Sequence, residues 1–420
     1  MGCAGYGRWP PLSAMIALAA VACEHETAPI PTSGFAITDS AGIPIIENYA
    51  PDSDSGEFWT VDSEPEFVIG EYSGLVEAAN DSSHLLWGVM GAAPLSDGRV
   101  VVVSGSNKIV LVFEKSGALS SVFGREGHGP GEFAMGPEHL QVLPGDTIVV
   151  WDSGFRRVNY FDPSGTLLKE RHIDLGAVIE ATRAAEYSPP ETVAQPLLDG
   201  SFLVEMHPRD WHTPDHGVAS HVPAHYARLD SGYTVSSFGW WAGSEYLSSP
   251  PSVPWLLPYA ARSMIAAGGT PLLVYATNGD DYEIRQFSEI GELQRVLRRT
   301  EPPPNPLTRD KIQEHREANE AVSPAFDWAS WERIVADLPP RYEPAIYSLM
   351  VDSAGYLWVA DRGSSRGRWS VFSPEGRWLG AMRLPRGAIQ WIGSDLLILS
   401  TIDPDLGIET IAGYRLNRTQ

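Results

Sequence analysis

The sequence predicts an all-β fold, a six-bladed β-propeller of four-stranded antiparallel blades, from three observations. First, a glycine-bearing turn followed by a short apolar strand recurs six times, at LSDGRVVVV (95–103), LPGDTIVVW (143–151), LLDGSFLV (197–204), AGGTPLLVY (267–275), VDSAGYLWV (351–359) and WIGSDLLIL (391–399). Each predicts a tight hairpin between strands A and B, because glycine supplies the positive φ that such turns need. Second, a Phe-x-x-x-Gly turn follows at Phe113/Gly117, Phe161/Gly165, Phe287/Gly291 and Phe372/Gly376, with a shortened form at Leu229/Gly232. It marks the turn between strands C and D. Third, the unit recurs at roughly 40 to 50 residues, the length of one propeller blade.

Taken in order, residues 1–22 carry one charge, Arg8, and an apolar run, PLSAMIALAAVA, over 11–22. That run is too short to span a bilayer and predicts a signal peptide. Residues 23–35 begin with Cys23 and continue as a polar, proline-containing tether. GIPIIENY (42–49) predicts a strand packed outside a blade. The last unit, from residue 387, ends after its third strand, IETIAGYRL (408–416). An open three-stranded sheet would expose an edge. EFVIG (66–70) resembles the D-strand endings SVFG (121–124) and SSFG (236–239), so it is expected to complete blade 6 and close the ring. The propeller is expected over 36–420, with an insertion at about 299–345 between blades 4 and 5. There Thr308 predicts the cap of a polar helix ending near Glu320. Trp328, Trp331, Ile334, Val335 and Leu338 follow at helical spacing.

The chain has 420 residues, a 43% hydrophobic share, 40 Gly and 34 Pro, which suits short strands and turns rather than disorder. Its net charge is -23, and -24 once residues 1–22 with their single Arg8 are removed. Such a surface excludes nucleic acid and anionic headgroups as partners. Cys3 and Cys23 are the two cysteines, so the folded region has no disulfide, and the protein is expected to act as a monomer.

The ending Ala20-Val21-Ala22-Cys23 resembles a lipobox, which implies cleavage before Cys23, lipidation of its thiol and anchoring toward the periplasm or cell surface. The alternative is an ordinary secretory signal. With SAGIPIIEN (40–48), GREGHGPGEF (124–133), VDSAGYLWV and the Phe-x-x-x-Gly turns, the mature chain resembles the six-bladed β-propeller lipoproteins of bacteria, relatives of NHL-repeat propellers. The resemblance implies the fold and no particular reaction.

Antiparallel alternation puts the A–B and C–D turns at one end of every blade and the B–C and D–A connections at the other. The former are uniformly short. The long segments therefore share one face: residues 206–226 between B and C of blade 3, and the D–A links 124–137, 172–192, 240–261 and 299–345. Trp211, Trp240, Trp241, Tyr246, Trp255, Trp328 and Trp331 fall in these segments. They suggest either aromatic anchors for a protein, peptide or glycan, or side chains that glue the insertions to the ring. Five histidines, His207, His212, His216, His221 and His225, cluster in blade 3. His207, His212 and His216 could offer imidazoles to a divalent metal, although Pro208, Pro214 and Pro223 exclude a helical pair; the alternative is an exposed loop. His139 starts an inner strand and is the one histidine placed for a central channel. Gly127, Gly129 and Gly131 join two β-units rather than a strand to a helix, so GREGHGPGEF is expected to be an inter-blade link, not a phosphate loop. No catalytic residue and no cofactor is assigned. The expected function is binding through the long-loop face; the rival is a metal-dependent lactonase-like or lyase-like enzyme with ligands converging from several A strands.

Overall fold

The computed structural model describes residues 34–419 except 56–57, 71–84, 153–156, 184–191, 209–218, 250–252, 258, 301–303, 321–326, 337, 339, 363–366 and 404–405. Cys23, Trp211, His212 and His216 therefore lie outside the described residues, as do the signal peptide and most of the tether.

Four N-terminal strands precede the first blade: β1 (Phe35–Ser40), β2 (Ile43–Asn48), β3 (Phe58–Val61) and β4 (Phe67–Ile69). Blade 1 is β5 (Val89–Pro94), β6 (Val100–Ser104), β7 (Ile109–Phe113) and β8 (Leu119–Phe123). Blade 2 is β9 (Pro137–Leu143), β10 (Thr147–Asp152), β11 (Arg157–Phe161) and β12 (Leu167–His172), and helix α1 (Leu175–Arg183) follows it. Blade 3 is β13 (Thr192–Pro196), β14 (Phe202–Met206), β15 (Ala219–Leu229) and β16 (Val235–Ser249), with β17 (Val253–Leu256) added at its edge. Blade 4 is β18 (Met264–Gly268), β19 (Leu273–Thr277), β20 (Glu283–Ser288) and β21 (Leu293–Arg299). The insertion holds α2 (Arg309–Glu320) and α3 (Trp328–Ala336). Blade 5 is β22 (Ile346–Val351), β23 (Leu357–Asp361), β24 (Arg368–Phe372) and β25 (Trp378–Arg383); blade 6 begins with β26 (Ala388–Ile392), β27 (Leu396–Ile402) and β28 (Glu409–Thr419).

The ring closes as expected. Strand β4 pairs antiparallel with β28, Ile69 opposite Ile411 and Phe67 opposite Gly413, and supplies the missing fourth strand. A Cβ at Gly413 would collide with the Phe67 ring, so the strand crossing requires glycine there. Strand β3 extends the same seam along Leu416 to Thr419. The strand at 43–48 does pack outside a blade: β2 runs parallel to β21 on the outer edge of blade 4, and β1 covers β2.

Turn chemistry follows the repeat with two exceptions. Gly98, Gly145, Gly200, Gly269 and Gly355 in the A–B turns, and Gly117, Gly165, Gly291 and Gly376 in the C–D turns, all have φ between 79° and 91°. In blade 3 the positive φ belongs to Tyr233 (65°) rather than Gly232, and in blade 6 Gly393 of the A–B turn does not take a positive φ.

The core is divided among the seams. Six apolar clusters fill the six interfaces between neighbouring blades, because alternate residues of each B and C strand point to opposite faces. Val101, Val103, Val110 and Val112 face blade 2, while Val100, Val102, Leu111 and Phe113 face blade 6. Inner strands are also stitched by amides. Gln141 donates to Pro196 O (2.5 Å), and Gln195 both donates to Ala267 O (2.8 Å) and accepts from Ala267 N (3.0 Å).

Candidate functional site on the loop face

The Gly-rich segment 124–133 is an inter-blade link, held by blade 2. Arg157, 3% exposed, donates to Gly129 O (3.0 Å) and to Glu132 O and pairs with Asp152 (3.3 Å) and Glu170 (3.0 Å). Blades 4 and 5 are joined by a comparable buried group. Arg299 bridges Asp361 (3.2 Å) and Ser370, and the Tyr282 hydroxyl donates to Asp361 (2.8 Å). Both networks sit where a B strand ends and a C strand begins, and both fix the loops of one face.

Blade 3 departs most from expectation. Residues 219–229 and 235–249 are strands rather than connections, so β15 and β16 form a ribbon projecting beyond the blade, Ala219 opposite Leu247. Trp240, Trp241 and Tyr246 therefore lie in a strand, not a loop. Bulges at Val222/Ala224 and His225/Ala227 let the ribbon bend. Gly243 (φ +75°) allows the first of these, since a Cβ there would collide with the Val222 carbonyl. The base is buried: Tyr226 donates to Ser263 O (2.9 Å), and His225 Nε2 lies 2.9 Å from Ser237 Oγ. Burial lowers the His225 pKa from 6.5 to about 4, so the imidazole is neutral at pH 7.

The insertion stands beside this ribbon. Its neck is closed by Leu307 N to Arg341 O and Glu343 N to Asn305 O, both 2.9 Å. Arg341 grips Glu245 of β16 with both guanidinium nitrogens, one bond at 2.6 Å. Burial would raise the Glu343 pKa, but hydrogen bonds from Lys311 and Asn305 outweigh it and hold the carboxylate below its ordinary range. At the inner start of blade 5, burial first and then the Glu343 charge raise the Tyr347 phenol above its ordinary value.

The aromatic residues fall into two groups. Trp241, Trp328 and Trp331 are buried, at 7%, 9% and 2% exposure. Trp241 packs between blades 3 and 4, while Trp328 and Trp331 join Leu257 and Val335 in the insertion's own core. Their reading as presented anchors is corrected: both apolar faces of these rings are already covered, so they glue. Trp240 is 49% exposed and meets His225 edge-on at 5.1 Å. Tyr246 is half-buried, and Trp255 lies in β17, its side chain outside those described.

The opposite rim, from blades 6, 1 and 2, was not singled out by the sequence. Met90 near the start of β5, Met135 in the D–A link, Ile402 at the end of β27 and Leu406 in the B–C connection are exposed there. Close backbone approach brings these loops together: a Cβ at Gly105 would lie 2.7 Å from Met90 Cγ, and one at Gly136 would lie 2.8 Å from Gly105 O. Aliphatic side chains carry no motif, and only the parity of the strands would have placed them on one face.

His207 Nδ1 lies 3.0 Å from Pro223 O, and its Nε2 lies 3.8 Å from Glu205. His139 is half-buried in β9, opposite Trp151. Among the described residues, no three His, Cys, Asp or Glu side chains are grouped so as to hold a metal.

Ring, seams and loop face define a six-bladed β-propeller. A family model described as a 6-bladed beta-propeller matches residues 83–187. Similar solved structures include a Bacteroides fragilis protein described as exported, with 13% identity, 89% of this chain and 99% of that one covered, and a TM-score of 0.43. A gluconolactonase from Xanthomonas campestris has 15% identity, covers 85% and 96%, and gives 0.39. Virginiamycin B lyase from Staphylococcus aureus has 9% identity, covers 86% and 99%, and gives 0.37. Likeness at this level carries nothing about activity. No curated protein sequence matches the chain. Among the described residues, no helix is long and apolar enough to cross a membrane.

Proposed function

We propose that the chain is an exported propeller, tethered through Cys23, that binds a protein or peptide on its loop face. The apolar run ending at Cys23 supports export. One observation carries the binding face: six exposed large apolar side chains, Met90, Met135, Trp240, Tyr342, Ile402 and Leu406, between 44 and 76% exposed, lie at that end. Leu168, Leu198 and Ile290 are their counterparts at the short-turn end. Exposed apolar groups gathered on one face mark interaction sites. The mix of Met, Ile and Leu with two aromatics suits apolar side chains of a polypeptide, since methionine adapts to irregular surfaces. Sugar rings would favour flat aromatics alone.

The test is photo-crosslinking in cells that make the protein, with a benzophenone amino acid at Met135 or Ile402, and separately at Leu198 or Ile290. Discrete adducts are expected from the first pair. Adducts from Leu198 or Ile290 alone would assign binding to the other face.

A further inference from the structure

We infer that the groove between α2 and α3 is a second binding site, for a small carboxylate with an aliphatic body. The groove encloses about 580 Å³, within the range of small-molecule sites. Leu307, Ile312, Val335 and Leu338 line it. Val335 is buried, but Leu307, Ile312 and Leu338 are only partly covered, so the aliphatic walls remain wetted. Ile312 and Leu338 also rest on the Trp328–Trp331 cluster, which makes the floor continuous with the insertion's core. An aliphatic occupant would remove that surface from water.

The charges on the rim select the head group. Glu332 is engaged by Arg316 (2.5 Å) and Arg341 by Glu245 (2.6 Å), so these two lining charges already have protein partners. Arg309, from α2, is exposed and has no carboxylate partner among the described residues. It stands in the first helical turn, where the positive end of the helix disfavours a cation and favours an acid such as its neighbour Asp310. Helix formation therefore gives no reason for an arginine at this position; a bound anion does. On the other wall Arg333 borders the same groove, its Nε donating to Ala329 O (3.3 Å). In a chain of net charge -23, a guanidinium-edged aliphatic groove is the local exception. It fits one carboxylate and excludes a cationic or strongly polar occupant.

The groove lies in the insertion of the same loop face, but its binding of a small acid does not depend on a polypeptide partner, so either reading stands if the other fails. Calorimetry on the full chain with decanoate and with decan-1-ol tests it. One saturable site is expected, at least tenfold tighter for decanoate. Arg309→Glu should weaken decanoate at least tenfold and leave decan-1-ol unchanged, with an unaltered melting temperature because the residue is exposed. Ala329→Phe, which fills the groove from α3, should weaken both. No saturable binding, equal affinity for acid and alcohol, or full decanoate binding by Arg309→Glu would each overturn the assignment.

Discussion

Blade 1 and blade 3 are built on the same grammar and end differently. Blade 1 uses four strands of five or six residues. Blade 3 carries strands of 11 and 15 residues and a fifth strand, and the whole excess lies at one end. Yet both supply the ring in the same way. Blade 3 gives Phe202, Val204, Ala227 and Leu229 to one seam, and Leu203, Ala224 and Tyr226 to the other, as blade 1 gives its alternating valines. The ring therefore makes no use of most of the extra length. Stability resides in the seams, and the additions serve the face they enlarge.

The largest effect should come from the seam that closes the ring. Phe67 and Ile69 are 6% and 1% exposed in the cluster between blades 6 and 1, although they belong to a strand of three residues. Truncating either to Ala should cost about 2–5 kcal/mol in denaturant unfolding, because the cavity cannot collapse between two blades. Deleting residues 24–33 should leave the unfolding midpoint unchanged. Equal losses would mean that closure does not depend on β4.

A smaller effect is expected where ribbon meets ring. His225 is 1% exposed, with a folded-state pKa of about 4 against 6.5. Between those values the unfolded chain binds a proton that the folded chain does not, so stability falls as pH drops through the window and is fully present above 6.5. The loss should approach about 2–3 kcal/mol by pH 4. Urea unfolding of His225→Gln, compared with the parent from pH 7 to 4.5, should show a shallower decline. Parallel declines would place the acid sensitivity elsewhere.

The ring was legible because its signals are local. Nine of the A–B and C–D turns announce themselves by a glycine at positive φ, and the shortage of one strand in blade 6 pointed to residues 66–70. The helices of the insertion were legible for the same reason: Thr308 accepts from Lys311 N (3.4 Å), and the Trp328 to Val335 spacing is helical. Helix α1 was missed although Asp174 caps it, accepting from Ala177 N (3.1 Å), because the helix is short and, among its described side chains, Val178 is the one fully buried apolar group. The ribbon was missed because Pro223, Gly239 and Gly243 break strand periodicity, and bulges at Val222/Ala224 and His225/Ala227 interrupt its register. The choice between anchor and glue for Trp241, Trp328 and Trp331 was open for a physical reason too: a sequence shows where an indole sits along the chain, not whether a neighbouring blade or helix covers it.

The most direct test of the division between ring and face is the affinity of whichever partner is captured through Met135. It should be measured against two double variants of equal charge, Met135→Glu with Ile402→Glu, and Leu198→Glu with Ile290→Glu. All four positions are exposed, so both proteins should fold with parental melting temperatures. The account predicts that the first pair weakens binding by roughly 30-fold or more, the loss of about 2 kcal/mol that anchor side chains carry, and that the second leaves it unchanged. Parental affinity in the first pair with a loss in the second would contradict it.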